Sequence, residues 1–134
     1  MEKSINILFA VAEAAPFAKV GGLGDVAGAL PEALNKLDEF NFDVRIFMPF
    51  HARVHEYDPD RRKIGNFTFS LMSGDSLECE LFIAQIGSTK VYLIDNEYIN
   101  HNSPIYHGDW RLDGLKYVSF SLMVLEASKF IDWK

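Results

Sequence analysis

The sequence predicts a three-layer α/β fold: a mainly parallel sheet with helices on its faces and a β-hairpin appended. Two observations carry this. An apolar run at 5–12 leads through a glycine cluster into a helical pattern, and a second apolar run follows at 43–50. Strand, loop, helix and strand within about fifty residues make a βαβ crossover, which is right-handed. Further on, two runs rich in β-branched and aromatic residues flank Ser73-Gly74-Asp75, a hairpin pattern. The 134 residues fit one domain.

Residues 5–12 are almost continuously apolar, the pattern of a strand buried on both faces of a parallel sheet. Pro16 breaks the run. After the glycines, Val26, Leu30, Leu34 and Leu37 fall on one helical face. Pro31 inside that stretch predicts a kink or a restarted helix. Residues 43–50 form the second strand, closed by Pro49, and the polar stretch 51–62 is a loop or short helix. Residues 67–71 and 77–86 are the arms of the hairpin, and 90–94 are a third parallel strand. The strand at 5–12 is expected inside the sheet rather than at its edge. Residues 96–111 read as a long surface loop, and Asp113 as the N-cap of a closing helix. In that helix Leu115, Val118, Leu122 and Leu125 are spaced to pack on the sheet, with Tyr117, Phe120 and Met123 widening the apolar surface.

Composition narrows the function. With 13 Lys and Arg against 19 Asp and Glu, the net charge is −6, a poor footprint for nucleic acid. Apolar residues make up 49% and charged residues 24%, ordinary values for a globular protein rather than a linker. No run of about 20 apolar residues could span a bilayer, so no membrane partner is expected. The N-terminal stretch lacks the basic lead of a signal peptide. Cys79 is the single cysteine, which excludes an internal disulfide and suits a reducing compartment. The expected location is cytoplasmic.

The chemistry points to Lys19-Val20-Gly21-Gly22-Leu23-Gly24-Asp25-Val26, between the first strand and the first helix. Glycines let the backbone approach a ligand. The first amides of a helix lack intrahelical partners and sit at the positive end of its dipole, which suits an anion. Lys19 adds a positive charge, and Asp25 can cap the helix or accept from a ligand hydroxyl. In open α/β sheets this end of the strands is where ligands bind. On the pattern alone a tight strand-to-helix turn explains the same residues equally well. Neither the dinucleotide nor the P-loop fingerprint is present.

The string from Ala12 to Pro31, with Lys19-Val20-Gly21-Gly22-Leu23-Gly24-Asp25-Val26 at its centre, closely resembles the N-terminal signature of bacterial glycogen synthases and plant starch synthases. The stretch Asp43-Val44-Arg45-Ile46-Phe47-Met48-Pro49 resembles the family's second strand, and residues 109–125 the helix before its next one. Val20 stands where the family more often has threonine, which removes one hydroxyl. The resemblance implies a Rossmann-like domain, one half of a GT-B type two-domain glycosyltransferase. It implies glucose transfer from ADP-glucose to the non-reducing end of an α-1,4-glucan with retention, and no cofactor or metal. The substrate-contact residues it implies are Lys19, Gly21, Gly22, Gly24 and Asp25, with Glu13 either functional or capping. Residues 1–134 then represent the N-terminal domain, incomplete at its C-terminal end, and the partner C-terminal Rossmann-like domain lies outside them. The catalytic residues are expected past Lys134, so turnover is not expected from this segment alone. An unpaired sheet edge there would favour self-association. Two alternatives remain: another sugar-nucleotide glycosyltransferase, or a non-catalytic glucan- or nucleotide-binding domain.

Weaker candidates complete the list. His51 and His55 have a metal-compatible spacing, but without a third ligand a surface pair is the better reading. His101, Tyr106, His107 and Trp110 either line a carbohydrate platform or anchor their loop. Residues 58–63 read as a solvated charged loop, and Cys79 as a packed residue.

Overall fold

The computed structural model describes residues 3–133. In chain order the elements are β1 (Ile5–Ala10), α1 (Gly22–Asn35), β2 (Phe42–Pro49), α2 (Ala52–Tyr57), β3 (Arg62–Ser70), β4 (Ser76–Ile86), β5 (Thr89–Asp95) and α3 (Trp110–Ser128). All five strands lie in one open sheet of order β1-β2-β5-β4-β3. The β1–β2 and β2–β5 pairs are parallel, and β5–β4 and β4–β3 are antiparallel. The hairpin is appended at the edge of the parallel strands: its long arm β4 pairs with β5 and continues the same sheet.

Alternation along the strands separates two cores. Ile46, Met48, Val91 and Leu93 face Ala27 of α1 and Val54 of α2. Phe47, Tyr92, Ile94 and Leu81 face Phe120, Met123 and Val124 of α3. Helices thus cover both faces, giving the three expected layers.

Four features depart from the sequence-based expectation. First, β1 is an edge strand, bonded to β2 alone among the described residues, and most of it is only half-buried. An apolar run reports burial of strand faces and carries no information about pairing along both edges. Second, α1 is one helix through Pro31, and Gly24, Ala27 and Pro31 are its buried residues, while Val26, Leu30 and Leu37 are exposed. Small residues let the helix backbone come close to the loop before it: a Cβ on Gly28 would lie 2.3 Å from the Ala15 carbonyl oxygen. Third, α3 is capped by Asp109, whose side chain accepts from the amides of Arg111 and Leu112. Asp113 instead accepts from the amide of His107.

The fourth departure is the face that α3 buries. Leu115, Val118, Leu122 and Leu125 are 42–63% exposed, whereas Met123 and Ala127 are fully buried. The helix carries two apolar stripes, and the buried one includes Lys116 and Ser119, which disguise it in the sequence. Leu125→Ala is accordingly expected to change stability by no more than about 0.5 kcal/mol, as for an ordinary surface site. A loss above about 2 kcal/mol on chemical denaturation would mean that this stripe is covered after all.

The stretch 96–111 is anchored rather than loose. Ile99, Ser103 and Ile105 are buried, and the Asn96 side chain accepts from the amides of Tyr98 and Ile99. Cys79 is packed as expected, and burial pushes its thiol up to about 11.

Candidate functional site

β1 and β2 run parallel, so their carboxyl ends lie side by side, and β5 joins them on the far side of β2. Three segments meet there: the loop 11–21 after β1, His51 after β2, and the loop 96–109 after β5. The glycine loop sits at this end, where an open α/β sheet binds ligands.

Glu13 organises it. Its Oε1 accepts from the amides of Gly21 (3.1 Å) and Gly24 (2.9 Å), and its Oε2 accepts from the Tyr106 hydroxyl (3.1 Å). The residue is buried. Burial raises its carboxyl pKa, but the amides of Gly21 and Gly24 and the Tyr106 hydroxyl outweigh that and hold it below the ordinary 4.5. Glu13 therefore fills the part of the loop's amide cradle that Gly21 and Gly24 provide. It is the loop's internal anion.

Other amides stay available. Gly21 is the N-cap of α1 and has no side chain of its own to cap the helix. The amides of Gly22 and Leu23 have no acceptor among the described residues. A Cβ added at Gly21 or Gly22 would meet nothing within 4 Å, so this flank is open to a ligand. Gly24 faces inward, where a Cβ would come within 3.1–3.2 Å of Lys19 and Glu13. Asp25 lies in the first turn of α1 and does not cap it; its carboxylate pairs with Lys19 at 2.9 Å, both side chains half-exposed. Lys19 is thus held beside the open flank and is still reachable.

The other candidates do not gather at one place. Tyr106 joins Glu13. His107 donates through its amide to Asp113, and its Nδ1 lies 2.9 Å from the same carboxylate. Trp110 is largely exposed beneath the Arg111 guanidinium, and His101 meets the edge of His55. No continuous aromatic platform forms among the four.

His51 and His55 are not a surface pair. His51 is fully buried, with Nε2 2.7 Å from the Ala12 carbonyl oxygen and Nδ1 2.7 Å from Lys116 Nζ. His55 stacks on Phe50 with ring centroids 3.7 Å apart. Burial and the Lys116 charge push His51 down to about 3, so it is neutral near pH 7. Lys116 escaped the sequence reading because a lysine in an apolar helix looks like a solvent-facing residue. A partial signal was available, since Ser119, Met123 and Ala127 continue its stripe at helical spacing.

The family model for the starch synthase catalytic domain matches residues 6–134. Glycogen synthase from Clostridium novyi is 39% identical over 129 residues, covering 95% of this chain and 26% of its relative. That from Lacticaseibacillus casei is 35% identical over 131 residues, covering 96% of the chain and again 26% of the relative. The chain therefore spans about a quarter of the length of these proteins. The solved catalytic domain of starch synthase IV from Arabidopsis thaliana, bound to ADP and acarbose, shares the fold. Its TM-score is 0.71 at 23% identity, over 95% of this chain and 26% of that one. The glycine-loop signature, the strand order that presents it and a family match along nearly the whole sequence agree, and the chain belongs to the starch synthase catalytic domain family.

Proposed function

We propose that this chain forms the N-terminal wall of the donor site in a glucan synthase. The full reaction is glucose transfer from ADP-glucose to the non-reducing end of an α-1,4-glucan, with retention. The observation that carries this reading is the loop at 19–25, pinned from inside by Glu13, with the Gly22 and Leu23 amides and the Lys19 ammonium left at its open flank. Amides at a helix start and a nearby lysine suit a diphosphate. Lys19 would exchange its contact with Asp25 for a donor oxygen, and Asp25 would then be free to accept from a sugar hydroxyl. Gly21, Gly22 and Gly24 let the chain approach without a side chain intervening. A second Rossmann-like domain closes the cleft and holds the leaving diphosphate. A cytoplasmic setting fits the single buried Cys79 thiol.

The test is Lys19→Ala in a complete synthase carrying this segment. A hydrogen bond to a charged group is worth about 1.5–3 kcal/mol. At about 1.4 kcal/mol per tenfold, the Michaelis constant for ADP-glucose should rise roughly 10- to 100-fold. The circular dichroism spectrum should be unchanged, because Lys19 is exposed and its ammonium pairs with a surface aspartate. Unaltered steady-state kinetics in a folded variant would reduce the loop to a tight turn.

A further inference from the structure

Lys116 is a buried cation in the middle of α3. Its Nζ lies 2.7 Å from His51 Nδ1, 2.9 Å from Ser103 Oγ and 2.5 Å from the Pro104 carbonyl oxygen, with the Ile105 carbonyl oxygen at 3.5 Å. No carboxylate contacts it among the described residues. An ammonium has three hydrogens and no lone pair, so it donates to His51 Nδ1, Ser103 Oγ and the Pro104 carbonyl, while the Ile105 carbonyl also accepts from the Tyr117 hydroxyl. His51 Nδ1 is therefore an acceptor, the imidazole proton sits on Nε2, and Nε2–H donates to the Ala12 carbonyl at 2.7 Å.

The Ala12 carbonyl and the Glu13 amide share one peptide plane. Fixing that carbonyl fixes the direction in which the chain enters Glu13, whose carboxylate holds the amides of Gly21 and Gly24. A second route runs the other way round. Lys116 holds the carbonyls of Pro104 and Ile105, and the next residue, Tyr106, donates to the other Glu13 oxygen. Both routes end on one carboxylate. Apart from their shared start in α3, they pass only through segments at the carboxyl ends of the strands. A buried cation that served packing alone would be replaceable by an apolar side chain of similar volume at little cost. The charged end of this one meets polar atoms of His51, Ser103 and Pro104, besides the face of the Tyr117 ring 5.4 Å away.

We infer that Lys116 and His51 are positioning residues for the glycine loop: they set the Glu13 carboxylate that holds Gly21 and Gly24 in place. The assignment rests on the reading of that loop as the donor site. Burial lowers Lys116 to about 8, which leaves it mostly charged near pH 7, and His51 is neutral, as the donor–acceptor pattern requires.

The experiment needs no substrate, so its failure is distinguishable from failure of the Lys19→Ala test. Amide hydrogen exchange is followed by NMR at Gly21 and Gly24, with the β4 amides of Leu81 and Phe82 as the reference for global opening. Lys116→Met keeps the volume and removes the donors; His51→Leu removes the link to Ala12. Each should speed exchange at Gly21 and Gly24 by about 10-fold or more beyond any change in β4. His51→Gln can present an N–H to Ala12 and an oxygen to Lys116, and should stay within about 3-fold of the parent. If Lys116→Met does not fold, the His51→Leu and His51→Gln pair makes the same comparison. Imidazole nitrogen shifts of the unmodified protein should also show the Nε2–H tautomer. Exchange at Gly21 and Gly24 that rises no more than in β4, or a Gln variant as disturbed as the Leu variant, overturns the assignment. So does a proton on Nδ1.

Discussion

Glu13→Ala is expected to cost the folded state about 2–4 kcal/mol, because it leaves the Gly21 amide without an acceptor, leaves the Gly24 amide only the Gly21 carbonyl, and removes a buried charged group's hydrogen bonds. At roughly 4 °C per kcal/mol for a domain of this size, the thermal midpoint should fall by about 8–16 °C. The loop loses its internal anion as well, so ADP-glucose transfer by a complete synthase should fall further than in Lys19→Ala. The pH dependence has a definite sign. The Glu13 carboxyl is held below 4.5 in the folded state, so its contribution is complete above about 4.5 and is lost as pH falls through the lower folded value. Glu13→Gln should therefore flatten the acid limb of the stability profile below pH 4.5 while costing less near pH 7. Equal acid limbs in parent and Gln variant by chemical denaturation would show that the carboxylate does not hold the loop.

Gly28→Ala should destabilise despite converting a helical glycine into the best helix former. The propensity gain is about 1 kcal/mol. Against it stands a methyl group placed 2.3 Å from the Ala15 carbonyl oxygen, a backbone atom that cannot rotate away. Overpacking of that kind typically costs about 1–3 kcal/mol, and a contact this close against a backbone atom falls at the upper end, so the net expectation is a loss of about 1–2 kcal/mol. The helix must slide by most of an ångström, and the Ala15 amide bond to the Gly24 carbonyl, 2.9 Å in length, ties the glycine loop to that movement. Donor affinity should weaken along with stability. A variant more stable than its parent, the ordinary result for a helical glycine, would mean that α1 does not pack on the Ala15 loop as described.

The glycine signature, the β1–α1–β2 crossover, the hairpin turn and the presence of a third parallel strand at 90–94 were all legible in the amino-acid order, whereas the pairing of β5 with β2 rather than β1 was not. Each depends on local rules: strand period, helix period, the conformational freedom of Gly74 at φ +91°, and the breaking effect of proline. The family signature was legible for the same reason, being a contiguous string whose chemistry lies in its own backbone.

Which faces are buried was not legible. The sequence offered leucine stripes on α1 and α3, and the structure turned both toward solvent for two reasons. On α1, close approach of backbones favoured Gly24, Ala27, Gly28 and Pro31 over larger residues. On α3, Lys116 could be buried because His51, Ser103 and Pro104 supplied acceptors from 65, 13 and 12 residues away. The same holds for the site. The sequence named Glu13 and Tyr106 separately, but only the fold joined them across 93 positions and turned the glycine loop's amides toward an internal carboxylate. The sequence by itself determined the elements, the loop and the family. The burial of each helix and the wiring of Lys116, His51, Glu13 and Tyr106 were decided by the tertiary structure, because a buried polar group is tolerable only where distant segments deliver its partners.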